Sequence, residues 1–173
     1  MLIGLPGSGK STVCKELLKE LPGITVLSTD EYIENYAQSK GKKYEDVYRE
    51  VGDDAQKWMN TRIKQLINER KAFIWDQTNV FKSARRKKIS MLEQNKYQVI
   101  AVALNISEEE LSKRLKVRID SGGKKISYKV INEMKLAYDL PSYEEGFSDV
   151  FIIDDTGAFK LLEKPIGYKI SKK

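Results

Sequence analysis

At 173 residues, 40% hydrophobic and 32% charged, the chain reads most simply as one globular domain (1–173), and no apolar run nears the roughly 20 residues of a membrane span. A lone cysteine, Cys14, excludes an internal disulfide, and the lack of histidine leaves only carboxylates or lysine as general bases and excludes His-based metal sites. Thirty-one Lys+Arg against 25 Asp+Glu give a net charge of +6, which suits either a polyanionic partner or a solvated basic surface; with one free cysteine it suits a reducing cytoplasm.

The first strand is expected at residues 2–4, leading directly into Gly-Leu-Pro-Gly-Ser-Gly-Lys-Ser at 4–11. This is the pattern of a phosphate-binding loop. Gly7 and Gly9 allow the tight turn that aims successive N–H groups, with those of Ser8 and Thr12, at phosphate oxygens. Lys10 is a mobile point charge for the β- and γ-phosphates, and Ser11 offers the hard oxygen that Mg²⁺ prefers. A helix over 12–21 points its N-terminus at the anion, and Pro22-Gly23 ends it. With the loop starting at Gly4, no leader peptide is expected before it.

Four more apolar runs read as buried strands, at 24–28, 72–75, 97–104 and 150–153. Helices are expected at 44–70, at 83–95, from Ser107 onward and at 127–140, the last after the break Ser121-Gly122-Gly123. Strands alternating with helices imply an α/β fold with a parallel sheet of about five strands and helices on both faces. In such folds ligands sit beyond the carboxyl ends of the strands, so the polar residues just after each strand matter most.

After the second strand stands Ser28-Thr29-Asp30-Glu31-Tyr32. Asp30 there is placed to take a proton from an attacking hydroxyl, or else caps the next helix. After the third strand, Asp76 could hold Mg²⁺ through water or orient an acceptor, with Thr78 and Asn79 as neutral hydrogen-bonding groups; its plainer role is helix capping. Arg114 and Arg118 share one helical face and could close over transferring phosphate charge as a lid hinged at Gly122-Gly123, or pair with Glu109 or Glu110 on a solvated helix. The basic run of residues 82–88 lies beside the expected acceptor site. Tyr32, Tyr36 and Tyr44, interleaved with Lys40, Lys42 and Lys43, form either a base-stacking patch or a Lys-rich surface loop.

Four elements in order, Gly-Leu-Pro-Gly-Ser-Gly-Lys-Ser, Ser-Thr-Asp-Glu-Tyr, Asp-Gln-Thr-Asn with its following Arg-Arg, and Lys-Arg-x-x-x-Arg, resemble the kinase domain of the phage polynucleotide 5′-kinase family over roughly residues 2–140. The resemblance implies a P-loop NTPase fold with an Arg-bearing helical lid. It implies transfer of the γ-phosphate of ATP or GTP, with Mg²⁺, to the 5′-hydroxyl of DNA or RNA. Asp30 would activate the hydroxyl, Lys10 and Ser11 would handle triphosphate and metal, Arg118 with Arg114 would grip the donor phosphates, and Asp76 would shape the acceptor site. Ile126 and Val130 fall where the family places apolar side chains against the terminal base. The family's arginine three residues beyond the base is here Ile33, so Ile33→Arg is expected to raise acceptor affinity, and a nucleoside monophosphate or other small-molecule kinase is the alternative. Asp154-Asp155-Thr156-Gly157 is only superficially like a haloacid-type phosphatase motif and reads as a strand end and turn; a kinase without phosphatase is expected.

Overall fold

The computed structural model describes residues 1–121 and 126–168. β1 (Leu2–Ile3) leads into α1 (Lys10–Glu20), and β2 (Thr25–Leu27) into α2 (Thr29–Ser39) and α3 (Tyr44–Asn68). β3 (Phe73–Trp75) precedes α4 (Lys82–Gln94), and β4 (Ile100–Leu104) precedes α5 (Glu108–Asp120) and α6 (Tyr128–Leu136). After a 3₁₀ turn at Tyr143–Glu145, β5 (Asp149–Ile153) and β6 (Phe159–Leu161) form a hairpin.

β1 pairs with β4 and β4 with β5 in parallel, β2 pairs with β3 in parallel, and β6 is antiparallel to β5. A parallel bridge between Leu2 and Asp76 and a 2.9 Å bond from Gly4 N–H to Thr78 C=O stitch the two groups together. The strand order is therefore β2-β3-β1-β4-β5-β6. The phosphate loop leaves the centre of this sheet, with the β2 and β3 ends on one side and the β4 and β5 ends on the other.

Period-two alternation sorts the strand side chains onto two faces. Ile3, Ala101, Ala103 and Val150 join Met59, Ile63 and Leu66 of α3 and Ile89 and Leu92 of α4 in one buried cluster. Leu2, Ile74, Val102, Leu104 and Ile153 pack with Cys14 of α1 on the other face. Helices thus cover both faces, as the apolar strands require, and Cys14 is a packing residue. Leu111 of α5 packs with Leu5 of the loop and Val80, which seats α5 over the loop.

Three elements differ from expectation for local reasons. α2 has a short buried stripe, Ile33 and Ala37, which pack on Val47, Val51 and Ala55 of α3; two apolar residues give too little periodicity to read. β6 buries nothing, all three residues being exposed, so its pairing leaves no hydrophobic mark. Residues 97–99, Tyr-Gln-Val, lie before the strand: the Tyr97 hydroxyl donates to the carbonyls of Leu66 and Lys71, Val99 C=O accepts from Ser148 N–H at 2.8 Å, and the register with β5 begins at Ile100. Asp154 ends the strand, its carboxylate accepting from Thr156 N–H at 2.9 Å and from the Thr156 hydroxyl, so the Asp-Asp-Thr-Gly segment is the expected turn. No helix among the described residues is long and apolar enough to cross a membrane.

Candidate functional site

The phosphate loop takes the backbone form its sequence implies. Gly7 and Gly9 have φ of 84° and 106°, in the left-handed region that side chains disfavour. A Cβ on Gly7 would also meet Leu115 at 2.8 Å, so α5 closes one side of the loop. Gly9 precedes α1 without a side-chain cap, and the first turn holds no acid, which leaves the N-terminal amides and positive dipole end of α1 for an anion. Ser11 and Thr12 are exposed in that first turn, whereas Ser8 is buried with no hydrogen-bond partner for its hydroxyl among the described residues.

Lys10 lies over this loop, its ammonium donating to the carbonyls of Gly4 at 2.9 Å and Leu5 at 3.0 Å. Burial pushes its pKa down to about 8, opposed by the charges of Asp76 and Asp30 and reinforced slightly by Arg118. Four elements therefore bring their charges to one place: α1 with Lys10, α2 with Asp30, the end of β3 with Asp76 and α5 with Arg118. Triphosphate oxygens would favour the charged ammonium. Because the free value is depressed from 10.5 to about 8, nucleotide binding is expected to take up a proton between those pH values, and affinity to fall as pH rises through about 8. Calorimetry in buffers of different ionisation enthalpy measures this. The uptake should persist in Lys88→Met, since Lys88 is also held near 8 but by its own burial. No uptake in the native chain would remove Lys10 as a phosphate contact.

Asp30 is exposed in the first turn of α2 and accepts a 2.5 Å hydrogen bond from the Tyr44 hydroxyl at the start of α3. The Tyr44 pKa is raised, mainly by burial and then by this bond, so the phenol stays a donor. Asp76 sits half-buried where β3 meets β1, its N–H donating to Leu27 C=O at 2.9 Å. Arg114 is braced against the loop: its guanidinium donates to Ser8 C=O at 2.7 Å and pairs with Glu110 at 2.8 Å. The two arginines thus divide, Arg114 supporting loop backbone and Arg118 acting on Lys10. Ile126 is half-buried before α6 and Val130 is exposed in its first turn. The expected hinge at Gly122-Gly123, with Lys124 and Lys125, lies outside the described residues.

Two acceptor-side expectations are overturned. Ile33 is 2% exposed in the α2–α3 seam and does not face the site. Ile33→Arg would force a guanidinium into that seam, and is expected to cost about 2–4 kcal/mol in urea unfolding with no gain in acceptor affinity. Asn79 is also spent structurally: it is buried with φ 49°, its amide donating to Leu2 C=O at 2.7 Å.

Residues 82–88 hold what the sequence hid. Arg85 is fully buried, paired through two 2.8 Å bonds with Glu145, and donates to the carbonyls of Asn79 and Val80. Lys88 donates to Gln77 at 2.8 Å and to Asn79, with its ammonium 4.4 Å from the Trp75 ring centroid. Gln77 in turn reaches the Thr29 hydroxyl at 3.4 Å, next to Asp30. α4 thus sets the shape of the Asp76–Asn79 segment from behind. The helical period carried the signal: Arg85 stands four before Ile89 and seven before Leu92, on the buried stripe.

For metal, the exposed Ser11 hydroxyl in the first turn of α1 and the half-buried Asp76 carboxylate, whose charge acts on Lys10, offer one donor of each kind. A nucleotide-bound Mg²⁺ needs few protein ligands because phosphates and water complete its octahedron, so this donor set fits it.

Residues 1–141 match the family model AAA_33, an AAA domain. Heterogeneous nuclear ribonucleoprotein U-like protein 2 of Homo sapiens is 29% identical over 147 residues, 82% of this chain and 19% of that protein. NEDD4-binding protein 2 of Homo sapiens is 30% identical over 101 residues, 58% of this chain and 5% of that protein. The chain spans about a fifth or less of the length of these curated relatives. Among solved structures, a "putative kinase" from Chloroflexus aurantiacus superposes with TM-score 0.69 at 19% identity, covering 90% of this chain and 83% of that one. The PezAT toxin–antitoxin structure of Streptococcus pneumoniae gives TM-score 0.68 at 17% identity, covering 92% and 68%. These two likenesses concern the fold, a P-loop α/β sheet with helices on both faces. The family match over most of the chain agrees with the loop geometry and the strand order, and the chain belongs to the AAA_33 family of AAA domains.

Proposed function

We propose that the chain is an ATP-dependent polynucleotide 5′-hydroxyl kinase. The observation that carries the phosphotransferase reading is the convergence of Asp30, Asp76 and Arg118 on the Lys10 ammonium above the phosphate loop. A switch that only binds nucleotide needs no exposed carboxylate there. In the reaction, an acceptor hydroxyl gives its proton to the Asp30 carboxylate as its oxygen bonds to the γ-phosphorus. The bond from that phosphorus to the bridging oxygen breaks, and the nucleoside diphosphate leaves with the electron pair. Tyr44 holds Asp30 in place. Lys10 and the α1 amides stabilise charge on the donor phosphates, with Arg118 from α5. Mg²⁺, held at Ser11 and through water at Asp76, would supply further charge neutralisation on the phosphates.

The polynucleotide acceptor is supported by the ordered resemblance over residues 2–140, by the net charge of +6 and by a relative whose name places it among ribonucleoproteins. Buried Ile33, where the family's acceptor-holding arginine would stand, favours a second reading, a nucleoside monophosphate or other small-molecule kinase. Transfer of labelled γ-phosphate from ATP or GTP to 5′-hydroxyl DNA and RNA oligonucleotides, beside a panel of nucleosides and nucleotides, decides between them. Labelling of the oligonucleotides, with affinity falling steeply with salt as phosphate counterions are released, is the expected result. Labelling of small molecules alone would establish the second reading, and no transfer to any acceptor would sink both.

A further inference from the structure

α2 does more than present Asp30. It also lines a groove of about 330 Å³ with Glu31, Tyr32, Asn35, Tyr36 and Ser39, bordered from α3 by Trp58. The rings are already placed. Tyr32 and Trp58 lie 5.5 Å apart between centroids, and the Tyr36 hydroxyl is fixed by a 2.7 Å bond to Glu50. Ile33 and Ala37 of the same helix supply its buried contact with α3, and the tyrosines border that seam while still lining the groove.

We propose that this groove takes the bases of a single-stranded acceptor downstream of its 5′-hydroxyl, an inference that rests on the polynucleotide reading above. Three features argue for bases and fix which way round the strand lies. Aromatic faces stack on any base, and Tyr32, Tyr36 and Trp58 offer three of them. Glu31, Asn35 and Ser39 stand at four-residue steps along α2, a line of groups for hydrogen bonds to base edges. The carboxylates of Glu31, in the lining, and of Glu50, bonded to the Tyr36 hydroxyl, repel phosphate, so the backbone runs outside. There Lys40 lies 5.7 Å from the Tyr36 ring centroid, and Lys42 reaches Glu50 at 3.7 Å. Asp30 immediately precedes Glu31 in the first turn of α2 but faces away from the groove towards Tyr44, so a strand whose terminal hydroxyl lies at Asp30 reaches the groove by rounding that turn. The groove would then supply acceptor affinity in a chain whose position 33 carries no arginine.

The test compares a 5′-hydroxyl oligodeoxynucleotide long enough to cross the groove with a nucleoside 3′-monophosphate too short to reach it. Tyr32→Leu and Tyr36→Leu are each expected to raise the oligonucleotide KM about tenfold, the scale of one lost base–ring stack. The kcat, and both constants for the short acceptor, should stay unchanged. Equal losses on both acceptors, or no change on either, would overturn the groove. A binding measurement stands apart from catalysis: the oligonucleotide should quench native fluorescence, and Trp58→Phe, which keeps Trp75, should abolish that quenching. If the enzyme labels oligonucleotides but Trp58 is not quenched and the KM values hold, the groove falls and the kinase reading stands. If oligonucleotides are not labelled, the polynucleotide reading falls, and quenching alone decides the groove: present, it stands as a nucleic-acid site; absent, it falls too.

Discussion

Asp30→Asn is expected to lower phosphotransfer about 10²- to 10⁴-fold, the usual contribution of a positioned general base, while nucleotide affinity stays nearly unchanged. Asparagine keeps the size of the side chain and still accepts the Tyr44 hydroxyl bond, so α2 and α3 remain docked. Proton acceptance is removed, together with a charge that acts on Lys10. The donor side should still change little, because the Gly7–Gly9 turn, the amides of α1 and the Arg114 bond to the Ser8 carbonyl are built without Asp30, and burial and Asp76 both influence Lys10 more than Asp30 does. Tyr44→Phe should do less, slowing turnover severalfold by removing one hydrogen bond to the carboxylate and leaving the carboxylate itself in place. Single-turnover transfer beside equilibrium nucleotide binding separates these effects. Turnover within tenfold of native in Asp30→Asn would remove Asp30 as base, and a matching loss of nucleotide binding would show that it serves the donor site.

The donor half of the site could be read from the chain because it is local. Gly7, Gly9, Lys10 and Ser11 lie within five consecutive residues, and the loop's conformation follows from glycines at positive φ and a helix N-terminus. The sheet was legible for a related reason: a strand buried on both faces announces itself as a run of Ile, Val, Phe and Trp. The acceptor half depends on contacts far apart in sequence. Position 33 reads as a vacancy for an arginine until α2 is seen to bury Ile33 against Val47, Val51 and Ala55. Asn79 reads as a ligand until its amide is found on Leu2, 77 positions away. Arg85 and Lys88 sit among like charges that suggest solvent, yet one is fully buried and the other is largely so. Charge is informative about burial only where partners are known, and the partners here, Glu145 and Gln77, come from other elements.

Arg85 gives the largest stability effect expected in the chain. Its pair with Glu145 has both side chains at 0% exposure, and removing one member leaves the other charged and buried without compensation. Arg85→Met should therefore cost about 3–5 kcal/mol, which for a domain of this size lowers Tm by roughly 6–20 °C. Replacing both, Arg85→Met with Glu145→Leu, should recover most of that loss, because two apolar side chains of similar volume carry no desolvation penalty. Function is not expected to recover with it. The guanidinium also holds the carbonyls of Asn79 and Val80, and the same segment fixes Gly4 through the Thr78 carbonyl. The double variant should thus fold well yet work poorly, with the acceptor KM raised and nucleotide affinity less affected, since the loop retains its own turn and the Arg114 brace. Thermal unfolding of single and double variants, with acceptor and donor kinetics on the double, checks both halves. A double variant as unstable as the single would assign Arg85 mainly to the loop carbonyls. One restored in stability and activity alike would make the pair a dispensable anchor between α4 and the 3₁₀ turn.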